Sequence, residues 1–324
     1  MPTLAAGEAL AECLKSLEAQ TYRNFETIVV DNSGARLVKE SERVRVIAND
    51  RNVGFGAAIN QGLAASSCEF LASLNDDAVA SAEWLAKLVA CAESESKAGM
   101  FASEVLMADT GRLDSAGMSI AADGTSRQRG HDEAAAQYTA KTDALFPSGS
   151  AALYRRKMLD EIGAFEERFF LYCEDTDLGL RARWAGWECR YVPGAQVKHR
   201  YSHSAGKASI MKAYYVERNR LFMVVRNFPL GMCFFTPFAS VSRYFWHFKF
   251  MLAGRGKAAE FREGGNAALW LPFLVLRAHA ATLIRLPRLL RERSAIAAKR
   301  RLTVREFRKL LKRHSISIRR VAAL

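Results

Sequence analysis

The sequence predicts an α/β fold in which a mostly parallel sheet carries helices on both faces. Three observations predict it: apolar β-rich runs alternate with amphipathic helical segments, glycines and polar residues punctuate the alternation, and acidic residues directly follow the strands. Strands that alternate with helices form parallel sheets covered on both faces by the connecting helices. The length of 324 residues allows one large domain or two of ordinary size.

The alternation is clearest before residue 100. The β-rich run "FETIVVDNS" follows an amphipathic helix, and the strand "VRVIAND" precedes a helix that opens at glycine, "GFGAAINQGLAAS". The next strand, "EFLASLNDD", is followed by another helix. Ligands of such sheets bind beyond the carboxyl ends of the strands. We expect the binding site there, because Asp31, Asp76 and Asp77 stand at two of these ends.

The pattern loosens after residue 100 into short extended pieces and glycine turns. "SGSAALY" predicts a strand, and residues 175–185 predict a helix whose acidic first turn suits the positive end of the helix dipole. The strand "ECRYV" ends at Pro193, and His199 follows shortly after it.

Charge divides the chain into two parts. Residues 1–205 carry 22 Lys and Arg against 29 Asp and Glu, a net charge of −7, whereas residues 206–324 carry 25 against 5, a net charge of +20. A basic segment of this size binds polyanions, either nucleic acid or an anionic membrane leaflet.

The six cysteines form no CxxC pair, which is typical of free thiols in a reducing compartment and argues against zinc. The start of the sequence has no secretory signal pattern, so we expect a cytoplasmic protein.

The C-terminal part, residues 206–324, predicts helices that lie at a membrane surface. Residues 227–242 are uncharged and rich in Phe, but these 16 residues are fewer than the roughly 20 that span a bilayer. We therefore expect interfacial helices with Phe and Trp inserted and Lys and Arg at the headgroups. For any single helix, packing on the preceding α/β domain is an equal alternative. The phenylalanine-rich stretch favours lipid over nucleic acid as the partner.

Two groups of acidic residues indicate a cation site and a general base, and each group also has a purely structural explanation. Asp76 and Asp77 form either a solvated turn or a divalent-cation site, since Mg²⁺ and Mn²⁺ prefer oxygen ligands and bridge to diphosphates. The stretch "CEDTDLGLR" either complements a helix dipole or supplies a general base, whose pKa the preceding aromatic residues would raise. His199 is by itself an ordinary surface histidine or a metal ligand. The stretch "RNVGFGAAINQGL" does not match the glycine-rich motif that binds dinucleotides, because Ile59 stands where that motif has its third glycine.

Taken in order, five stretches resemble the family 2 inverting glycosyltransferases of the GT-A fold, especially their rhamnosyltransferase-like branch. They lie within residues 10–200 and read "ECLKSLEAQTYRNFETIVVDNSG", "NDRNVGFGAAINQGL", "LNDDA", "GSAALYRRKMLDEIGAFEERFFLYCEDTDLGLRARWAGW" and "VKH". The resemblance implies a GT-A domain over residues 1–205, with a nucleotide-binding sheet, followed by the membrane-associating helical region 206–324.

The resemblance also implies roles for the polar residues at the strand ends. Asp31 would contact the base or ribose of the nucleotide. Asn52 and Asn60 would line the nucleotide pocket, and Asp76, the first acid of the pair Asp76–Asp77, would also bind the nucleotide.

Cation and catalytic roles follow in the same way. Asp77 would be the metal-binding carboxylate, with His199 as a second protein ligand for Mg²⁺ or Mn²⁺. Asp175 would be the general base for the acceptor hydroxyl, and Glu174 would hold the acceptor or order Asp175. A single base on one face of the sugar implies inversion, in contrast to the pair of carboxylates in retaining glycosidases.

The sequence departs from the family at two places. Asn75 replaces the first acid of the "DxD" element, which predicts a weakened but not abolished metal site. The family begins with an apolar strand before "PT", whereas this sequence starts at Met1-Pro2-Thr3. We expect an inner strand of about 5 to 6 residues to be missing, and the natural reading frame to extend upstream.

The resemblance therefore implies inverting transfer of a sugar, with rhamnose among the candidates, from a UDP- or dTDP-linked donor. The acceptor would be a polyprenyl-linked or surface glycan in cell-envelope polysaccharide synthesis. We expect a cytoplasmic enzyme, peripheral on the inner face of the cell membrane, with no nucleic-acid partner. The alternative is a non-catalytic nucleotide-sugar or glycan-binding protein that has degenerated from this fold.

Overall fold

The computed structural model describes residues 1–200, 209–254, 256, 259, 261 and 270–323. The chain forms two compact units, each built from segments that are not contiguous in sequence. The first unit comprises Met1–Met118, Gln128–Phe170 and Trp187–Tyr201, and the second comprises Ser119–Arg127, Leu171–Gly186 and Ser202–Leu324. The boundary predicted after residue 205 lies at 201–208, outside the described residues, so the division into 1–205 and 206–324 stays a prediction.

Strands dominate the first unit. In chain order the strands are β1 Pro2–Thr3, β2 Thr27–Asp31, β3 Val44–Ala48, β4 Phe70–Leu74, β5 Ala78–Ala80, β6 Ala98–Met107, β7 Leu113–Ser115, β8 Met118–Ile120, β9 Ser126–Gln128, β10 Thr142–Asp143, β11 Ala151–Arg155 and β12 Glu188–His199. β8 and β9 form a separate two-stranded ribbon, and most of their residues belong to the second unit, which includes Ser119–Arg127.

Two sheets organise these strands. β2 pairs in parallel with β1 on one side and with β3 on the other. The larger sheet has the strand order β10-β12-β6-β11-β4, with β5 paired to β12 and β7 paired to β6. β6 and β12 are parallel, whereas β11 runs antiparallel to both of its neighbours, β6 and β4. The predicted α/β class is therefore confirmed. The larger sheet is mixed, because β5, β7, β10 and β11 each run antiparallel to the strands with which they pair.

Four helices pack on the strands of the first unit: α1 Glu8–Glu18, α2 Phe55–Ala64, α3 Trp84–Ser94 and α4 Arg156–Ile162. α3 shows why these segments are helical, because its buried residues recur on one face. They include Trp84, whose side chain is 1% exposed and whose indole Nε1 donates to Ser103 Oγ of β6 at 2.8 Å. This bond satisfies the one polar group of a large side chain in the core.

The first strand is only two residues long. Pro2 and Thr3 pair with Val30 and Asp31 of β2. In the part of the chain that the structure describes, β2 and β4 do not hydrogen-bond to a common strand. A cavity of about 380 Å³ lies between them, lined by side chains of β2, β4, α2 and α3. The missing inner strand and the upstream reading frame both stay predictions.

The second unit is helical. Its helices are α5 Glu174–Trp184, α6 Ile210–Asn227, α7 Leu230–Leu252, α8 Trp270–Ala298, α9 Val304–Arg313 and α10 Ile318–Ala323. α6 packs against α8, and the ring of Trp184 at the end of α5 stacks on Phe307 of α9 at 3.7 Å between centroids. The side chain of Thr303 and the side chain of Glu306 cap the start of α9 reciprocally.

Helix α7 carries an apolar stripe that faces solvent. Seven of its residues recur every three or four positions on one face, and each is 56–71% exposed: Leu230, Phe234, Phe238, Val241, Phe245, Phe248 and Leu252. None of the helices in the described part of the chain combines the length and the apolar character needed to cross a bilayer. We call the seven residues the α7 stripe.

Candidate active site

The acidic turn after β4 and the last residue of β12 come together through strand pairing. β4 ends at Leu74, Asn75–Asp77 form the turn, and β5 begins at Ala78. β5 is antiparallel to the end of β12, with Ala78 opposite His199. This register brings two residues 122 positions apart in sequence into contact, because Asp77 immediately precedes Ala78.

Asp77 and His199 form a close pair in the first unit. The Asp77 Oδ1 atom lies 3.1 Å from His199 Nε2, and the two side chains are 7% and 9% exposed. Burial lowers the pKa of His199, but hydrogen bonds to Asp114 and Asp77 and the charges of these carboxylates outweigh burial and raise the pKa to about 9. A positive charge is therefore stabilised where the two carboxylates converge.

The structure adds Asp114, a residue that the sequence did not single out. Asp114 lies in β7, which pairs with β6, and β6 pairs in turn with the end of β12. Its Oδ2 atom is 3.4 Å from His199 Nδ1, and its Oδ1 atom is 3.1 Å from His131 Nδ1. The side chain of Asp114 is 2% exposed. No sequence signal marked it, because β7 has three residues and follows a glycine turn.

These residues fit a divalent cation that also binds a substrate. Within the described residues, no three His, Cys, Asp or Glu side chains are grouped as they are in a metal site made only of protein. Mg²⁺ commonly binds one or two protein ligands and completes its shell with substrate phosphates and water. Adjacent octahedral ligands at about 2.1 Å from the ion are about 3 Å apart, close to the 3.1 Å between Asp77 Oδ1 and His199 Nε2.

Asp76 and Asn75 have separate contacts. The Asp76 Oδ2 atom accepts a hydrogen bond from Thr3 Oγ1 at 2.6 Å, and burial, opposed by that bond and assisted by the charge of Asp77, raises the pKa of Asp76. The Asn75 Nδ2 atom lies 3.3 Å from His199 Nε2. Asp77 is thus the acid that faces the histidine, while Asp76 ties the turn to β1.

The three remaining residues predicted for nucleotide binding all have structural partners. Asp31 accepts from the backbone N–H groups of Ser33 and Val38, each at 2.9 Å. Burial raises its pKa, but hydrogen bonds within this loop outweigh burial and lower it. Asn52 Oδ1 accepts from Gly54 N at 2.8 Å. These contacts order the loops after β2 and β3, and nucleotide contact by either residue stays a prediction.

Asn60 uses both ends of its amide. Its Nδ2 atom donates to Phe165 O at 2.9 Å and to Glu167 Oε1 at 3.0 Å, and its Oδ1 atom accepts from Phe165 N at 3.0 Å. Asn60 therefore holds α2 to the segment after α4. Its predicted place in a nucleotide pocket stays a prediction.

Three amides that the sequence reading missed meet at the carboxyl ends of β2 and β3. Asn49 Nδ2 donates to Asn32 Oδ1 at 2.8 Å and to Gln61 Oε1 at 2.9 Å, and Gln61 Nε2 returns a bond to Asn49 Oδ1 at 2.9 Å. The stretches that resemble the glycosyltransferases contain all three residues, but a sequence does not show which amides pair. Carboxyl strand ends are where such sheets bind ligands.

The predicted catalytic pair begins α5 in the second unit. Glu174 is buried, and within the described residues its Oε2 atom has no hydrogen-bond partner. Burial and then the charge of Asp175 raise the pKa of Glu174 to about 8. Asp175 is half-buried, and its Oδ1 atom accepts from Thr176 N at 2.6 Å. At neutral pH Glu174 is therefore mostly protonated and suited to donating a hydrogen bond.

The backbone before α5 is strained. Tyr172 and Cys173 have φ angles of 71° and 66°, in the left-handed region that residues other than glycine rarely adopt. The Asn219 side chain supports this conformation by donating to Leu171 O at 2.7 Å and Tyr172 O at 2.9 Å. Such strain persists where the surrounding structure holds it in place, and it is common at functional sites.

Two solved structures share this fold, each with 15% sequence identity. A structure of GalNAc-T7 with UDP, GalNAc and Mn²⁺ has a TM-score of 0.56 and covers 69% of this chain and 46% of its own. The mannosyltransferase PcManGT from Pyrobaculum calidifontis, in complex with GDP-Man and Mn²⁺, has a TM-score of 0.51 and covers 92% of this chain and 84% of its own. The fold is therefore that of the GT-A glycosyltransferases, as the sequence predicted.

The sequence profile of the family described as Glycosyl transferase family 2 matches residues 1–163. The chain belongs to this family. An N-acetylglucosaminyl-diphospho-decaprenol L-rhamnosyltransferase of Mycobacterium tuberculosis (strain CDC 1551 / Oshkosh) is 50% identical to it over 60 residues. That match covers 18% of this chain and 20% of the relative, so this chain matches about a fifth of the length of that protein.

Proposed function

We propose that the protein transfers a sugar, with inversion, from a UDP- or dTDP-linked donor to a polyprenyl-linked or surface-glycan acceptor in cell-envelope polysaccharide synthesis. The pair formed by Asp77 and His199, 3.1 Å apart at a carboxyl strand end, carries the proposal. It offers a divalent cation two protein ligands and leaves the remaining positions to a diphosphate. The name of the mycobacterial relative makes L-rhamnose the sugar to test first.

Asp77 and His199 would hold Mg²⁺ or Mn²⁺, which neutralises negative charge on the departing nucleoside diphosphate when it is bound. Asp31, Asp76, Asn52 and Asn60 would belong to the nucleotide side of the site. Of these, Asp31 and Asp76 stand at the carboxyl ends of β2 and β4, where ligands of such sheets bind.

Asp175 would accept the proton of the acceptor hydroxyl as the acceptor oxygen bonds to the anomeric carbon. The bond from that carbon to the diphosphate oxygen breaks, and the nucleoside diphosphate leaves with the bonding electrons. Attack on the face opposite the leaving group inverts the anomeric configuration. Glu174, which burial keeps protonated, would donate a hydrogen bond to the acceptor or to Asp175.

The test is Asp175→Asn, with release of UDP or dTDP measured against polyprenyl-diphosphate acceptors. We expect kcat to fall by about 10² to 10⁴, the usual contribution of a general base, while donor binding measured calorimetrically changes little. Asp160→Asn, at an exposed carboxylate of α4, is the matched control. Undiminished turnover in Asp175→Asn would disprove the assigned base. Donor binding by the wild-type protein with no transfer and no hydrolysis would instead favour the non-catalytic alternative.

We also propose that the second unit binds an anionic membrane surface through the α7 stripe. An exposed apolar row on a 23-residue helix indicates an interaction surface. Exposed arginines on α8 and the net charge of +20 over residues 206–324 favour an anionic bilayer as the partner: Arg277, Arg285, Arg288 and Arg291. Membrane binding would hold the enzyme, cytoplasmic and peripheral, beside a polyprenyl-linked acceptor.

Co-sedimentation with vesicles tests this surface. We expect the protein to bind vesicles that contain phosphatidylglycerol, to bind phosphatidylcholine vesicles weakly, and to lose binding when Phe234, Phe238 and Phe245 are replaced by Ser. Leu37→Ser, at an exposed leucine of the first unit, is the control. If the protein does not bind vesicles but self-associates, and the triple substitution abolishes the self-association, the stripe binds a second copy of this chain. Preferential binding to random-sequence DNA would show that the basic region binds nucleic acid instead of a membrane.

A further inference from the structure

Asp114 differs from the buried acid Asp177 in the partners it has. Asp177 is paired with Arg181 and Arg226, as expected for structural ion pairs. In the part of the chain that the structure describes, the ion-pair partners of Asp114 are both histidines, His131 and His199. A buried carboxylate needs charged or hydrogen-bonding partners to offset the loss of solvation. Histidine is a partner whose second ring nitrogen can bind something else.

The hydrogen bonds determine the direction in which His199 presents its second nitrogen. When a cation replaces the proton on Nε2, the remaining ring proton lies on Nδ1, and Asp114 Oδ2, 3.4 Å from Nδ1, is placed to accept a hydrogen bond from it. The lone pair of Nε2 then points toward Asp77 Oδ1, which is 3.1 Å away. A lone pair and a carboxylate oxygen repel each other at this distance unless a proton or a cation lies between them.

His131 holds the other oxygen of Asp114. Its Nδ1 atom lies 3.1 Å from Asp114 Oδ1, and its side chain is 24% exposed, whereas that of Asp114 is 2% exposed. Contacts at both oxygens fix the plane of the Asp114 carboxylate. A chain of contacts therefore leads from the partly exposed histidine to the proposed cation site, in the order His131, Asp114, His199, Asp77.

We propose that Asp114 is a positioning residue of the cation site, which fixes the tautomer and the ring orientation of His199 so that Nε2 can bind the metal. The proposal rests on the proposed function, because it needs a cation between Asp77 and His199. Carboxylates that orient metal-binding histidines in this way raise the basicity of the ring, and their loss typically weakens metal binding about 10- to 100-fold.

Mn²⁺ binding tests the proposal without relying on turnover. Free Mn²⁺ is measured by electron paramagnetic resonance as it is titrated into the protein, alone and with UDP or dTDP. We expect Asp114→Leu to weaken Mn²⁺ binding 10- to 100-fold and Asp114→Asn, whose amide oxygen still accepts from Nδ1, to restore most of it. Ser115→Ala is the control, since Ser115 is buried on the same strand and its hydroxyl bonds Gly117 O.

A spectroscopic measurement covers the case in which Asp114→Leu does not fold. In ¹⁵N-histidine spectra with Mg²⁺ and nucleotide, we expect His199 to carry its proton on Nδ1, and Asp114→Asn to retain that tautomer less completely. Identical tautomers and Mn²⁺ affinities in wild type and Asp114→Asn, with unchanged affinity in any folded Asp114→Leu, would overturn the positioning role. Undiminished Mn²⁺ binding in Asp77→Asn and His199→Ala would instead overturn the cation site itself, so the two failures are distinguishable.

Discussion

Asp177 anchors the helix that carries the proposed base, and replacing it by Asn perturbs that anchor with little change in shape. The carboxylate is 0% exposed and accepts four hydrogen bonds. They come from Arg181 Nε at 2.8 Å, Arg226 Nε at 2.8 Å, Arg226 Nη2 at 3.2 Å and Asn227 Nδ2 at 2.8 Å. Burial raises the pKa of Asp177, but the charges of Arg226 and Arg181 outweigh burial and lower it.

The geometry sets the magnitude of the effect. The amide of Asn has one acceptor oxygen, so Asp177→Asn loses at least the two hydrogen bonds made to the other oxygen. These come from Arg181 and Arg226 if the amide oxygen takes the Oδ1 position, and from Arg226 and Asn227 if it takes the Oδ2 position. Hydrogen bonds to charged groups contribute about 1.5–3 kcal/mol each, and breaking a buried ion pair costs about 3–5 kcal/mol. Arg226 keeps its second partner, Glu292, so we expect a loss of about 3–4 kcal/mol in the free energy of unfolding.

Urea denaturation followed by circular dichroism at pH 7 measures this loss. The control is Glu83→Gln, which breaks the exposed pair that Glu83 forms with Lys87 at 2.9 Å and should cost at most about 1 kcal/mol. Because the pKa of Asp177 is lowered in the folded state, its contribution is present at neutral pH and disappears as the pH falls through the folded value. The difference between wild type and Asp177→Asn should therefore shrink in acid. A loss below about 1 kcal/mol at pH 7, or one equal to that of Glu83→Gln, would refute the reasoning.

Three further predictions concern single residues. For Glu174→Gln, we expect a gain in thermal stability over wild type that is absent near pH 4 and complete near pH 9. The carboxyl of the unfolded chain ionises above its ordinary pKa, whereas the folded state holds the proton up to a pKa of about 8, so folding of the wild type becomes less favourable between these values; equal profiles would contradict this. Gly54→Ala should cost at least about 1–3 kcal/mol in denaturant unfolding, since Gly54 has φ 89° and a Cβ there would lie 2.3 Å from Phe170 O; a stable variant would show that the loop can shift. Thr303→Ala should cost about 1 kcal/mol and Thr303→Ser much less, because Thr303 and Glu306 cap α9 reciprocally.

The sequence was most informative where a local pattern carries the chemistry. Acidic residues directly after apolar strands placed Asp31, Asp76 and Asp77 at strand ends, and the order of the motifs added His199 as the partner of Asp77. It was uninformative where contacts depend on strand register. Asp114 reaches His199 only because β7 and β12 pair with the same strand, β6, and no local pattern reports that pairing.

The acidic stretch at the start of α5 illustrates the same limit. By sequence, Glu174, Asp175 and Asp177 are equivalent carboxylates in one helical turn. In the structure, Asp177 is held by Arg226, 49 positions later in the chain. Glu174 is buried and has no ion-pair partner among the described residues, and Asp175 is half-buried. Burial and long-range ion pairs separate the three roles, and neither is visible in a window of ten residues.

The replacement of an acid by Asn75 is best understood as limiting the number of protein ligands. The Asn75 amide lies 3.3 Å from His199 Nε2, so a carboxylate at position 75 would face the proposed cation beside Asp77. Three protein ligands would hold a cation without substrate, whereas two leave most positions of an octahedral ion to the diphosphate. Binding of cation and nucleotide should then be strongly coupled, each raising the affinity of the other by the same factor. In this arrangement Asn75 would weaken the proposed site for the free ion while keeping it suited to the ion bound to a nucleotide diphosphate.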